Sequence, residues 1–194
     1  MAEPALSQRV RREFFARDSP DVAPQLLNKV LVVGGCAGRI VEVEAYMSDD
    51  PASHCFRGRT PRNAVMYGPA GHLYVYFTYG MHHCVNIVTG DVDDGQAVLL
   101  RAVVPLLGID QMVRRRGRDR HIADGPGKLC QAFGIDMAMN GTDVCAATSG
   151  DPFVAVYDDG VAPPRDLAGG PRIGISVATD VPWRWVAPQT PANH

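Results

Sequence analysis

The chain has 194 residues, of which 46% are apolar, and a formal net charge of −2. That length suits one domain able to bury about two thirds of its unfolded surface. No run approaches the ~18 apolar residues of a membrane span, and a slightly acidic total, taken alone, argues against a nucleic-acid partner. Twenty Gly and fifteen Pro point to turns and loops rather than long helices. The opening MAEPALSQRVRREFF has no apolar core or cleavage site, so no signal peptide is expected there. Five cysteines (36, 55, 84, 130 and 145) show no C-x-x-C pairing. An odd count of this kind fits reduced thiols in a cytoplasm.

In chain order, residues 5–17 read as a helix. Ser19-Pro20 reads as the N-cap and first turn of a short helix ending near Leu27. Lys29–Val33 is expected as a strand stopped by Gly34-Gly35, with Arg39–Tyr46 returning as the second arm of a hairpin. Residues 47–70 form a long loop with three Pro, and loops of that length in a compact domain are usually functional. Leu73–Thr78 and His83–Val88 flank Tyr79-Gly80-Met81-His82 as a second hairpin. Asp94-Gly95 turns into a buried strand, Ala97–Val104. Residues 108–116 and 126–134 look helical, and Phe153–Tyr157 and Arg172–Val177 close the chain as strands. Helices and strands do not alternate regularly. This predicts an α+β fold, residues 1–194 as a single mixed domain, rather than a parallel α/β sheet.

Charge is uneven along this frame. Arg57, Arg59 and Arg62 sit together without an acid between them, and Arg114, Arg115, Arg116, Arg118 and Arg120 form a second cluster. Residues 143–166 carry five Asp against one Arg. Such polarity lets a chain bind phosphate locally despite its total charge, although Arg114–Arg120 reads equally as a solvated helix end.

Three strands carry the residues suited to chemistry. In 39–46, alternation puts Ile40, Glu42, Glu44 and Tyr46 on one face. Glu is a poor strand former. Two on one face mark either a solvated strand or a carboxylate held rigidly beside an aromatic wall. In 97–104, alternation puts Arg101 with Leu99 and Val103. An Arg within AVLLRAVV needs a partner, which Glu44 or Glu42 could supply as a structural or a functional pair. LYVYFTYG puts Tyr74 and Tyr76 on one strand face and Tyr79 at the turn. Packing accounts for Tyr74. An aromatic at a hairpin tip is a candidate wedge between bases.

Other patterns fail. Gly125-Pro126-Gly127-Lys128 lacks the spacing of a phosphate loop, and Asp91–Gly95 lacks that of a calcium loop. His54, His72, His82 and His83 have no spacing that favours zinc. Neither metal nor cofactor is expected.

RIVEVEAY (39–46), ASHCFRGRTPRN (52–63), VMYGPAGHLYVYFTYGMHHCVNIV (65–88), AVLLRA (97–102), GPGKLCQAFGI (125–135), GPRIGI and the late PWRW together resemble the alkyladenine (3-methyladenine) DNA glycosylase family, in order and over nearly the whole chain. The resemblance implies a curved antiparallel sheet core with surrounding helices and a protruding hairpin that enters DNA. It implies excision of alkylated or deaminated purines from double-stranded DNA in base excision repair. The enzyme would be a bacterial-type monomer acting at the nucleoid. On that footing Glu44 activates the attacking water and Arg101 helps hold it. Tyr46, His54 and Tyr76 wall the pocket, and Asn86 lies at its floor. Tyr79 fills the gap left in the duplex. Met81, Arg57, Arg59, Arg62 and Lys128 touch DNA, with the 114–120 cluster on the backbone. His82-His83 departs from the family, which commonly has aromatics there, and the loop before His54 is short.

Three competing readings remain. A non-catalytic nucleic-acid-binding module explains the Arg clusters but neither Glu44 nor Arg101. A glycosylase with lyase activity needs an amine, and the only lysines are Lys29 and Lys128. The third is a metal hydrolase.

Overall fold

In a computed structural model, which describes residues 8–78, 80–146 and 153–188, the chain is an antiparallel sheet flanked by helices, an α+β architecture. The elements run β1 (Gln8–Arg9), α1 (Arg12–Phe15), α2 (Ser19–Leu26), β2 (Val30–Val33), β3 (Cys36–Tyr46), β4 (Leu73–Thr78), β5 (His82–Thr89), β6 (Gln96–Leu107), α3 (Ile109–Arg116), α4 (Pro126–Phe133), β7 (Val154–Asp158) and β8 (Arg184–Val186). The sheet order is β1-β7-β2-β3-β6-β5-β4, with β8 added on β3. No helix among the described residues is long and apolar enough to cross a membrane.

The sheet has two faces of different character. Val43, Ala45, Leu73, Val75, Val85, Ile87, Val98 and Leu100 point to the main core, where they meet α2, α4 and Met112 of α3. The alternate positions Tyr74, Tyr76, Cys84, Asn86, Leu99 and Arg101 face the other way and line a cavity. The loop 47–70 covers part of this second face. Its Cys55, Met66 and Tyr67 bury a smaller cluster against Tyr74, Val88 and Ala97. The loop holds one short 3-10 turn, Ala64–Tyr67.

β3 is the organising strand. Gly34 at φ +54° makes the two-residue turn that pairs Val33 with Cys36, so this hairpin begins three residues earlier than the composition suggests. Residues 36–39 pair with β2, and residues 42–44 pair with β8. β6 pairs along nearly the whole strand, with bulges at Val41 and Arg101 and a further register shift between Ala37 and Gly38. The first bulge changes an expectation: Ile40 does not share the face of Glu42 but enters the core with Val41, because one extra residue inverts the alternation. The second does the same to Val103, which is core while Leu99 and Arg101 line the cavity.

Three other expectations change. In the predicted helix 5–17 only Arg12–Phe15 is helical; Gln8–Arg9 is a strand on β7, and residues 5–7 lie outside the described residues. A ladder partner distant in sequence here overrides local propensity. Asp18, not Ser19, holds the N-cap position of α2. Ser19 instead donates its hydroxyl to the Tyr46 carbonyl at 3.0 Å and its N–H to Gln96 at 2.9 Å. Residues 172–177 form a loop through Gly174 at φ +80°, and the closing strand is β8. Much of the acidic segment serves structure. Asp143, Asp158 and Asp159 pair with Arg12, Lys29 and Arg39 at 2.6–2.7 Å.

Gly38 marks where β3 passes under α4. A Cβ there would lie 2.9 Å from Val103 Cγ2 and 3.0 Å from Phe133 Cζ. Gly38→Ala is expected to destabilise the fold by about 1–3 kcal/mol through overpacking, read as a lower urea midpoint with unchanged slope.

Candidate active site

Glu44 sits mid-sheet with no exposed surface. A carboxylate there is tolerable only if donors replace water. Its Oε2 accepts from the Tyr46 hydroxyl at 2.8 Å, and its Oε1 accepts from the Ile173 N–H at 2.8 Å. The Arg101 guanidinium lies 3.1 Å from Oε1. Arg101 also donates through Nε to Glu42 Oε1 at 2.8 Å, and Arg184 of β8 donates to the same oxygen at 2.6 Å. Both carboxylates suggested as partners for Arg101 are therefore engaged. Burial works against the Arg101 charge, but Glu44 and Glu42 outweigh it and hold its pKa above the ordinary value. Burial and the neighbouring Glu44 push the Tyr46 phenol far up, so it stays a donor.

The cavity above this network has a volume of about 360 Å³, within the range of small-molecule sites. Aromatic side chains shape it. Tyr74 and Tyr76 stack with centroids 5.5 Å apart, and His54 meets Tyr76 edge-on at 4.6 Å. His54 Nδ1 lies 2.8 Å from the Tyr74 hydroxyl, so the loop 47–70 is tied to β4 at the cavity wall. Burial of part of the ring and the nearby Arg62 keep His54 below its ordinary pKa, which favours a neutral, stacking imidazole at pH 7. Asn86 donates to the Tyr74 carbonyl at 3.1 Å across the β4–β5 ladder. Leu99 completes the floor, and Pro126, Ile173, Gly174 and Ile175 come in from α4 and the 170–178 loop.

The sequence-derived residues divide accordingly. Tyr46, His54, Tyr76, Asn86 and Arg101 line one cavity, with Glu44 directly beneath. Tyr79 lies outside the described residues. Met81, between β4 and β5, is 70% exposed. Arg57 is exposed, while Arg59 makes an open ion pair with Asp93 at 3.3 Å. Arg62 lies over the Tyr76 ring at 5.9 Å, at the cavity rim. Lys128 pairs with Asp124 at 2.8 Å on the surface. The second Arg cluster is mixed: Arg115 donates to the Ala132 carbonyl and Arg116 bonds Gln131, tying α3 to α4, whereas Arg114, Arg118 and Arg120 are exposed. Among histidines 54, 72, 82 and 83, His54 belongs to the cavity, His72 bonds the Pro69 carbonyl, and His83 packs on Phe77. His82 lies beneath Gly127 of α4.

Sequence reasoning missed Tyr74 as the anchor of His54. It also missed Ile173 as a donor to Glu44, and the buried pair Asp50–Arg172 behind Tyr46. The available signal for the last two was an Arg inside the apolar GPRIGI, which needs a partner just as Arg101 does.

A slot walled by aromatic rings, with a caged carboxylate bonded to the Tyr46 and Arg101 that line it, has the shape to take a planar group. The comparisons give it its class. A family model described as Methylpurine-DNA glycosylase (MPG) matches residues 13–191. A relative from Burkholderia lata, named as a 3-methyladenine DNA glycosylase, is 58% identical over 182 residues, covering 91% of this chain and 86% of that one. One of the same name from Burkholderia cenocepacia is 56% identical, covering 92% and 87%. Another from Agrobacterium fabrum is 49% identical, covering 93% and 90%. The chain is thus a DNA glycosylase, a hydrolase of N-glycosyl bonds. It belongs to the methylpurine-DNA glycosylase family.

Proposed function

We propose that this chain excises alkylated or deaminated purines from double-stranded DNA by direct hydrolysis, with Glu44 as general base. The observation that carries this is the Glu44 carboxylate, bonded to Tyr46 and lying under an aromatic slot. A base inside a duplex is out of reach and must be extruded, at a cost of a few kcal/mol. Stacking on Tyr46, His54 and Tyr76 offsets part of that cost, at about 1–3 kcal/mol per stacked base. A carboxylate has about four lone-pair positions. Tyr46, Ile173 and Arg101 engage three of them on Glu44. The fourth, on Oε2, suits the water that attacks the sugar carbon. The Arg101 guanidinium, 3.1 Å from Oε1, helps orient that water. As the base leaves, the sugar acquires oxocarbenium character, which the carboxylate stabilises. A purine methylated at N3 or N7 is already cationic and leaves without a second acid; neutral ethenoadenine and hypoxanthine take a proton from solvent as they leave. The lesions proposed are 3-methyladenine, 7-methylguanine, ethenoadenine and hypoxanthine, with Asn86 at the cavity floor reading the base edge.

Outside the slot we propose that Tyr79 and Met81 enter the duplex where the damaged nucleotide has left, and that Arg57, Arg59, Arg62, Lys128 and the exposed members of the 114–120 cluster meet phosphates. The Arg59–Asp93 and Lys128–Asp124 pairs are surface pairs of small energy, which a phosphate can displace. Acting alone, the chain would behave as a monomer.

Glu44→Gln is expected to slow single-turnover release of each of the four bases by roughly 10²-fold or more, measured in EDTA on duplexes carrying one lesion, while gel-shift affinity for the same duplexes persists. A mutant cutting at more than about a tenth of the wild-type rate would end the general-base reading. Tyr79→Ala is expected to cost far more on duplex than on single-stranded substrate; equal losses would make Tyr79 a packing residue. No lyase activity is proposed. Lys29 is held by Asp158 at 2.7 Å and Lys128 by Asp124, and neither lines the cavity. Borohydride added during turnover should therefore trap no protein–DNA adduct.

A further inference from the structure

The loop 170–178 reaches the carboxylate through one backbone amide, the Ile173 N–H on Glu44 Oε1. The residue before it is anchored with unusual thoroughness. The Arg172 side chain is 0% exposed and that of Asp50 is 1% exposed. Arg172 Nη2 donates to Asp50 Oδ1 at 3.0 Å, and Nη1 donates to Asp50 Oδ2 and to the Ala45 carbonyl, the latter at 3.1 Å. Nη2 also reaches the Ala178 carbonyl at 3.4 Å, at the far end of the same loop. The guanidinium lies over the Tyr46 ring at 4.7 Å and the Trp183 ring at 5.6 Å.

A buried ion pair is weak evidence of stability, since the desolvation of both charges opposes their attraction. What such a fork does well is fix geometry. Here it binds β3 through Ala45, the loop 47–70 through Asp50, and both ends of its own loop. It also stacks on the ring whose hydroxyl bonds Glu44. Two of the three groups that engage Glu44, the Tyr46 hydroxyl and the Ile173 N–H, thus depend on Arg172 for position. Nothing in the pair touches the cavity itself: neither Asp50 nor Arg172 lines it.

We infer that Asp50 and Arg172 are positioning residues for hydrolysis, setting the Tyr46 hydroxyl and the Ile173 amide on Glu44. The inference rests on Glu44 being the general base. The Arg172 charge is firmly retained: burial disfavours it, but the hydrogen bonds and charge of Asp50 more than compensate.

The test uses Arg172→Lys, which keeps a charge but loses the fork and the flat stacking face, and Asp50→Asn, which keeps the shape and loses the charge. Glu44→Gln serves as reference. Single-turnover excision and Kd for a hypoxanthine duplex are measured on each variant, together with its melting curve. A positioning role predicts a rate loss of roughly tenfold to a hundredfold in both variants with Kd unchanged within about threefold. Rate and affinity falling together would assign the pair to shaping the slot and overturn the inference. So would wild-type rates in both variants, or the loss of a cooperative melt in both, because the pair would then serve the fold alone. Wild-type rates in the Asp50 and Arg172 variants beside a dead Glu44→Gln refute only the positioning role. A Glu44→Gln enzyme that still cuts refutes the general-base reading beneath it.

Discussion

A carboxylate without exposed surface has to be solvated by protein, and Glu44 imposes that condition on three separate stretches of chain. Its own strand supplies Tyr46, β6 supplies Arg101, and the late loop supplies the Ile173 amide. The condition then spreads. Arg101, brought in as a counter-charge, is itself buried, and it takes Glu42 as a second partner, which in turn draws Arg184 from β8. Glu42 and Glu44, two positions apart on β3, share a face by strand alternation and so meet one guanidinium, while the β3–β6 bulges at Val41 and Arg101 turn the flanking Ile40 and Val103 into the core.

How much of this was legible in the sequence follows from which forces act locally. Strand alternation in RIVEVEAY and LYVYFTYG, the turn chemistry of Gly34-Gly35 and Asp94-Gly95, and the cost of an unpaired Arg in AVLLRAVV are all local. They put Glu42 and Glu44 on one face, gave Arg101 one of them as partner and set Tyr74 beside Tyr76, while the choice of Glu44 and of His54 came from the family resemblance. The exceptions arise where a distant partner decides. Gln8–Arg9 is a strand only because β7 lies alongside, and Ile40 turns inward only because β6 fixes the bulge. Residues 172–177 look like a strand by composition. They form a loop because Arg172 is drawn behind Tyr46 by Asp50, more than a hundred positions earlier in the chain. The Arg115 and Arg116 side chains could be read as solvated or as phosphate ligands, yet they join α3 to α4, a use that needs the helix packing to be known.

Aromatic residues shape the cavity. Each wall ring is itself held by a neighbour: Tyr46 by Arg172, Tyr76 by the Tyr74 stack, His54 by the Tyr74 hydroxyl. Burial pushes the Tyr74 phenol up to about 12, so it remains protonated and able to engage His54 at any pH near neutrality. The slot is thus pre-formed, which limits the ordering cost left to be met when a base enters.

The division of β3 between β2 and β8 has a consequence for the order of assembly. The amino-terminal part of β3 is completed by a neighbour two residues away, whereas Glu42 meets Arg184 across a separation of 142 residues. Contacts so remote in sequence close late, since chain entropy opposes them until the rest is in place. During synthesis the strands from β2 to β6 can pair while the 170–187 segment, with the Ile173–Ile175 wall and the Arg172 that lies over Tyr46, is still unmade. In that interval Glu44 lacks the Ile173 amide and Glu42 lacks Arg184. The wall at Ile173–Ile175 and the donor set around Glu44 are therefore completed together, when the 170–187 segment joins the sheet.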